Sequence, residues 1–323
     1  MVYIISLSND IKKLLTIFTI QENRFVSFER CHHFMHIRPE SGYLNLNQAH
    51  MENRSLMAGG IVSSQSTQKS IRNKPDWPSS GDVEFSQVSV KYRSDLSYVL
   101  TNISFTVHSG NKLGILGRTG AGKSTLISCI FRYFEQFEGS ILISGIPIVD
   151  IDLRQLRSAI TVIPQDPVTL TGTLRRNLDP GLDYSACEAE SVLRDVGLWH
   201  RFEKIGGIEC RVEAAGLSQG EKQLLCFGRA LMRRSKVILM DEATSGIDER
   251  SEAQIQRLIQ TRFVNSSVFM IAHRPRTILI CDQILILDGG RIKEFGRLED
   301  LKRQKGSLLH DLLQSADILN NFL

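Results

Sequence analysis

One stretch limits what this chain can fold into more than any other: Gly117-Arg118-Thr119-Gly120-Ala121-Gly122-Lys123-Ser124-Thr125. It follows Lys112-Leu113-Gly114-Ile115-Leu116, a short apolar run of the kind that forms a strand buried on both faces. It precedes Leu126, Ile127, Ile130, Phe131 and Phe134, apolar residues recurring at helical spacing. The stretch fits G-x-x-x-x-G-K-[ST] without a mismatch, and a strand-to-helix turn is the context that confirms a phosphate-binding P-loop. The glycines let the backbone curl, so that successive N–H groups point inward at phosphate oxygens; the helix adds the positive end of its dipole. In this reading Gly117, Arg118, Thr119, Gly120, Ala121, Gly122 and Thr125 line the cradle, Lys123 reaches the β- and γ-phosphates, and Ser124 ligates Mg²⁺. A chance glycine-rich turn with a lysine is the competing reading. It arises in about one chain in a hundred of this size, and the flanking strand and helix make it rarer still.

The remaining bounds are loose. With 323 residues, 42% hydrophobic and 23% charged, the chain is globular, as one large domain or two modest ones. The net charge of +4, from 39 basic and 35 acidic side chains, is scattered and does not call for nucleic acid. Six cysteines stand at 31, 129, 187, 210, 226 and 281 without a C-x-x-C pair, which argues against zinc or thioredoxin-like chemistry. Cys129 and Cys226 fall in apolar helical patterns and are expected in the core, in a reduced, cytosolic setting.

Residues 1–38 read as an amphipathic helix from about Asn9 to His36, stopped by Pro39. Charges at Asp10, Lys12 and Lys13 interrupt the apolar runs, so no uncharged stretch is long enough to span a membrane. A basic start and a small-residue cleavage site are missing, so it is a poor signal peptide. Two readings stay open: a helix docked on the protein's own core, or one that packs on, or continues into, a membrane domain. Residues 39–81, rich in Ser, Gln, Asn and Gly, read as a flexible linker. Asn73-Lys74-Pro75-Asp76 fits the guanine-reading N-K-x-D, but it precedes the P-loop. No Asp in the chain has Gly three positions later, so the match is accidental.

Residues 82–323 read as one α/β domain. Asp82 to Tyr92 alternates as a half-exposed antiparallel strand, and 103–107 pairs with it. Buried strands follow at Ile141–Ile143, Ile160–Ile163, Val237–Met240, Val268–Ile271 and Ile284–Leu287. Helical patterns fall at about 186–197, 220–234, 250–263 and 306–320. Alternation of the two implies a mostly parallel sheet with ligands at the carboxyl ends of its strands. Val237-Ile238-Leu239-Met240-Asp241-Glu242 ends such a strand in two carboxylates. Asp241 suits Mg²⁺ and Glu242 suits a general base for an attacking water. In Leu217-Ser218-Gln219-Gly220-Glu221, Ser218 is an N-cap for an amphipathic helix whose first N–H groups suit an anion.

The P-loop, Gln165, Leu217–Glu221, Asp241-Glu242 and His273 occur in this order, which resembles the ATP-binding cassette (ABC) ATPases. Ile163-Pro164-Gln165-Asp166-Pro167, the segment 171–180 and Asp241-Glu242-Ala243-Thr244-Ser245 are similar to the second nucleotide-binding domain of subfamily C, the multidrug-resistance-associated exporters. The resemblance covers about residues 77–316, and residues 22–38 look like the tail of that family's last transmembrane helix. It implies a P-loop NTPase core with a mostly parallel sheet, an antiparallel β subdomain and a helical subdomain. It also implies that Tyr92 stacks on adenine, that Gln165 touches Mg²⁺ and relays to the membrane domain, and that Ser218 and Gly220 bind ATP held by an opposite cassette. Asp248 then couples the two sites, and His273 contacts the γ-phosphate and orients Glu242. ATP and Mg²⁺ are the implied cofactors. A second nucleotide-binding domain, in a head-to-tail dimer, and transmembrane domains are the implied partners, with the ATP-binding domain on the cytoplasmic side of a membrane. Glu221 departs from the glutamine common in the subfamily, Gly246 from a usual alanine, and Val212–Leu217 is slightly short. The function implied is ATP hydrolysis powering export. The alternatives are an ATP-sensing module of a channel-type relative, or a soluble ABC ATPase.

Overall fold

A computed structural model describes residues 2–36, 76–93, 95–134, 137–243, 247–272, 274–304 and 306–315. The chain divides into two units, residues 1–65 and 66–323.

In the first unit, α1 runs Val2–Met35. It begins ahead of the expected Asn9 because residues 1–36 contain no Pro or Gly to stop the helix from propagating. Leu7, Ile11, Leu14 and Phe18 recur at three- and four-residue spacing, Phe25 follows one heptad on with Phe28 beyond it, and all are exposed. No described helix is long and apolar enough to cross a membrane.

In the second unit the strands are β1 (Val83–Val90), β2 (Leu100–Val107), β3 (Lys112–Gly117), β4 (Phe137–Ile143), β5 (Ile146–Pro147), β6 (Ile160–Ile163), β7 (Val237–Asp241), β8 (Ser267–Ile271), β9 (Gln283–Asp288) and β10 (Arg291–Arg297). The helices are α2 (Lys123–Ile130), α3 (Leu153–Ala159), α4 (Leu174–Leu178), α5 (Ala186–Asp195), α6 (Trp199–Glu203), α7 (Val212–Ala215), α8 (Gln219–Arg233), α9 (Glu249–Arg262), α10 (Pro275–Ile278), α11 (Leu298–Arg303) and α12 (Leu308–Ser315).

The apolar runs become a six-stranded sheet of order β10-β9-β3-β8-β7-β6, parallel except for β10. Alternate residues of each strand feed two cores, because successive side chains point to opposite faces. Ile238, Met240, Val268 and Met270 join Leu193, Leu225, Phe227 and Ile255 from the helices. Val237, Leu239, Phe269 and Ile271 join Leu126 and Ile130 of α2 and the inner face of the antiparallel sheet β2-β1-β4-β5. A mostly parallel sheet, an antiparallel β layer and a set of helices beside them make the α/β P-loop architecture that the sequence implied.

Several expectations shift. Ile141–Ile143 lies in β4 of the antiparallel sheet, paired with β1, and not among the parallel strands. The helix after the P-loop stops at Ile130, since Arg132 has φ 53, so Phe134 falls beyond it. β10 falls outside the expected strands: Arg-Ile-Lys-Glu-Phe-Gly-Arg contains no apolar run, as befits an edge strand guarded by charge. Residues 76–81, counted with the linker, pack onto the domain. Trp77 is buried and its indole N–H donates to Ile143 O at 3.1 Å, while Ser80 N donates to Ser144 Oγ at 2.9 Å. The rest of the linker and residues 316–320 of the last helix lie outside the described residues.

Candidate active site

The site is assembled by strand order. β8 alone separates β3 from β7 and is parallel to both, so the loops that leave β3, β8 and β7 emerge side by side. Ile271 ties the register, lying opposite Ile115 on one side and Asp241 on the other. The P-loop leaves β3, the acid pair ends β7, and Pro164-Gln165 follows β6, which is β7's other neighbour. β8 itself ends at Ile271, between them in the sheet. His273 itself lies outside the described residues, as do Thr244 and Ser245. Its neighbours are anchored: Ala272 N donates to Ile115 O at 3.2 Å, and the Arg274 guanidinium pairs with Glu252 of α9.

The P-loop has the form a phosphate needs. Gly122, the N-cap of α2, has φ 99 and no side chain with which to close the first turn. The N–H groups of that turn therefore face outward for an anion. At Gly120, φ is 81 and a Cβ would meet nothing within 4 Å, so the cradle is open there. Lys123 is 7% exposed, and its ammonium donates to Gly117 O at 2.8 Å and Arg118 O at 3.0 Å. An ammonium has three hydrogens, so this posture pins the charge beside the loop with one donor for a further acceptor. Ser124 is exposed at the first turn of α2, Thr125 is buried, and Arg118, Thr119 and Gly120 are exposed. The Thr125 hydroxyl shares a 3.0 Å hydrogen bond with Tyr92, whose ring meets Phe134 edge-on at 5.1 Å. Tyr92 is thus held against α2 while the residue stays 56% exposed.

Asp241 and Glu242 are half-buried, and Glu242 sits in the left-handed region at φ 46. A hydroxyl from Ser124 and a carboxylate from Asp241 are hard oxygen donors, which fits Mg²⁺ held by one or two protein ligands plus phosphates. Gln165 is exposed at the start of its loop.

Ser218 and Gly220 stand at a separate helix start. The Ser218 hydroxyl accepts from Glu221 N at 3.3 Å and Ser218 N donates to Glu221 Oε2 at 2.9 Å. A Cβ on Gly220 would come within 2.8 Å of both Asp248 Oδ1 and Ser251 Oγ, so its lack of a side chain lets α8 and α9 meet. Asp248 caps α9, and the Ser251 N–H and hydroxyl hold its carboxyl below the usual range.

Sequence reasoning missed the side chains that join α8 to the Gln165 loop. Gln223, 1% exposed, donates to Pro164 O at 3.1 Å. Arg229 donates to Val168 O, Asn177 O and Asn177 Oδ1. Their partners are backbone atoms or lie some fifty residues away, so no local pattern could have flagged them.

A glycine cradle after one parallel strand and paired acids after the next but one define a P-loop nucleoside-triphosphatase. Residues 100–245 match the ABC transporter family, and the chain carries an ATP-binding domain of that family, similar to those of subfamily C. It is 42% identical over 265 residues to the pleiotropic ABC efflux transporter of multiple drugs YBT1 of Candida glabrata, covering 76% of this chain and 16% of the relative. It is 43% identical over 242 residues to ATP-binding cassette sub-family C member 2 of Rattus norvegicus, covering 73% of this chain and 16% of the relative. It is 38% identical over 264 residues to the ABC transporter ATP-binding protein/permease VMR1 of Saccharomyces cerevisiae, covering 76% and 17% respectively. The chain thus spans about one sixth of the length of these curated relatives.

Proposed function

We propose that this chain is an ATP-hydrolysing motor domain, residues 82–323 with their packed lead-in, that drives export through an ABC transporter. The observation that supports the reading is the parallel strand order β3-β8-β7, in which the loop before α2 and the acid pair at 241–242 leave the same edge of the sheet.

In this reading the first-turn N–H groups of α2 and the Lys123 ammonium hold the β- and γ-phosphates, and Tyr92 offers its exposed ring to the adenine. Ser124, Asp241 and Gln165 hold Mg²⁺, which when bound neutralises charge on the phosphates. Glu242 accepts a proton from the attacking water, and His273, following β8, orients Glu242 and contacts the γ-phosphate. Positioning and fixed charge supply most of the rate. Ser218 and Gly220 complete the site of a second cassette across a head-to-tail dimer, and Asp248 couples the two. The domain works on the cytoplasmic side of a membrane, joined to transmembrane domains through residues 1–38.

The test is Glu242→Gln, assayed with MgATP and a second cassette. Hydrolysis should slow by ~10²–10⁴-fold, or ~3–5 kcal/mol, while ATP still binds. Unchanged turnover would remove Glu242 as the base.

A further inference from the structure

The helix that starts at Ser218 opens with an acid, and the structure gives that acid an escort. Glu221 Oε2 is engaged by Ser218 N–H. Its other oxygen, Oε1, pairs with the guanidinium of Arg201 on α6. The same guanidinium donates to Ala215 O at 2.5 Å and Gly216 O at 3.1 Å, the last carbonyls before the turn into α8. Arg201 therefore touches both sides of the turn at Gly216–Leu217. The guanidinium spreads these contacts over two nitrogens, one toward the carboxylate and one toward the two carbonyls, so one rigid planar group spans the turn. The pair is only partly exposed, 39% for Arg201 and 22% for Glu221, so solvent does not fully screen it.

A carboxylate in the first turn suits a helix by itself, because it faces the positive end of the dipole. It is a poor neighbour for a triphosphate brought to the same turn, which it repels. We infer that Arg201 is a positioning residue for the trans ATP site: it cancels the charge of Glu221 and clamps the turn, so that Ser218 meets an incoming phosphate with no net negative charge beside it. This rests on the reading that Ser218 and Gly220 face ATP held by a second cassette.

The test counts charge. A second copy of the chain serves as the opposite cassette, and Glu242→Gln is present throughout to slow cleavage. Association is followed by sedimentation as MgATP is raised, at low and at high salt. Relative to this parent, Arg201→Met leaves one negative charge and should raise the MgATP needed for half-maximal association by ~10-fold. Glu221→Gln leaves one positive charge and should lower it several-fold. The double variant restores neutrality and should return close to the parent. Arg201→Lys, which keeps the charge, should stay within a few-fold of the parent and guards against simple misfolding. All these differences should shrink at high salt. A double variant as weak as Arg201→Met, or an order unmoved by salt, overturns the inference and makes Arg201 a purely structural clamp. No MgATP-dependent association in the parent, or association untouched by Ser218→Arg, overturns the composite-site reading itself and the inference with it.

Discussion

Helix α2 begins after Gly122, which has no side chain to close the first turn, whereas α8 begins with Ser218 and Glu221, which close each other's N–H groups. The other well-formed starts follow α8. Asp152 caps α3, Thr173 caps α4, Ser185 with Glu188 caps α5, and Asp248 caps α9. A capped start is worth about 1 kcal/mol, which α2 forgoes, as do the short helices α6, α7 and α11. What α2 keeps is a set of donors that a phosphate can claim without displacing a side chain. The two starts therefore meet phosphate differently: α2 with bare backbone and a pinned lysine, α8 with a side chain already in place and a neutralised acid.

The sharpest way to break this contrast is Lys123→Ala. Loss of a charge-assisted contact should weaken MgATP binding ~100-fold, about 3 kcal/mol, measured by titration calorimetry. Wild-type affinity would mean that the start of α2 does not hold the triphosphate. Gly122→Ala comes next. A Cβ at φ 99 would lie 2.7 Å from Leu100 Cδ2 in a conformation alanine avoids. Stability should fall by about 2 kcal/mol and Tm by roughly 5 °C, read by calorimetry without nucleotide. An unchanged Tm would show that the glycine is dispensable to the fold. Ser218→Ala should cost about 1 kcal/mol in urea unfolding, the ordinary worth of a cap; a null result would place α8 with α2 as a start that needs none. The smallest effect is with pH. Burial opposes ionisation of Glu221, but the Ser218 N–H and Arg201 outweigh it and hold the carboxyl below its usual range. The stabilisation it adds is present above the ordinary glutamate value of about 4.3 and is lost as the pH falls through the lower folded value. The stability gap between the chain and Glu221→Gln should close over that window, and a gap that persists in acid would assign it to packing.

The parallel strands were legible because burial on both faces writes itself as unbroken apolar runs, as in Val237–Met240 and Ile284–Leu287. The edge strand β10 was not, because its charges and Gly296 look like a loop until β9 pairs with it. Trp77 looks like linker because Pro75 and Pro78 flank it, and only its partner at Ile143, far along the chain, shows where it belongs. Within the candidate site, local pattern marks the glycines, Lys123, Ser218 and the acid pair, because each stands at a strand end or helix start that the sequence itself signals. Arg201 could not, since the acid it serves lies 20 residues on and the carbonyls it holds are the same in any sequence.

Glu242 stands at φ 46, in backbone territory that glycine enters freely and other residues enter at a cost of about 1–2 kcal/mol. A glycine there would let the end of β7 relax. The chain instead holds a carboxylate at a spot where its own peptide geometry would favour having no side chain at all. Under the proposed role, Glu242→Gly would firm the end of β7 and at the same stroke remove the proton acceptor.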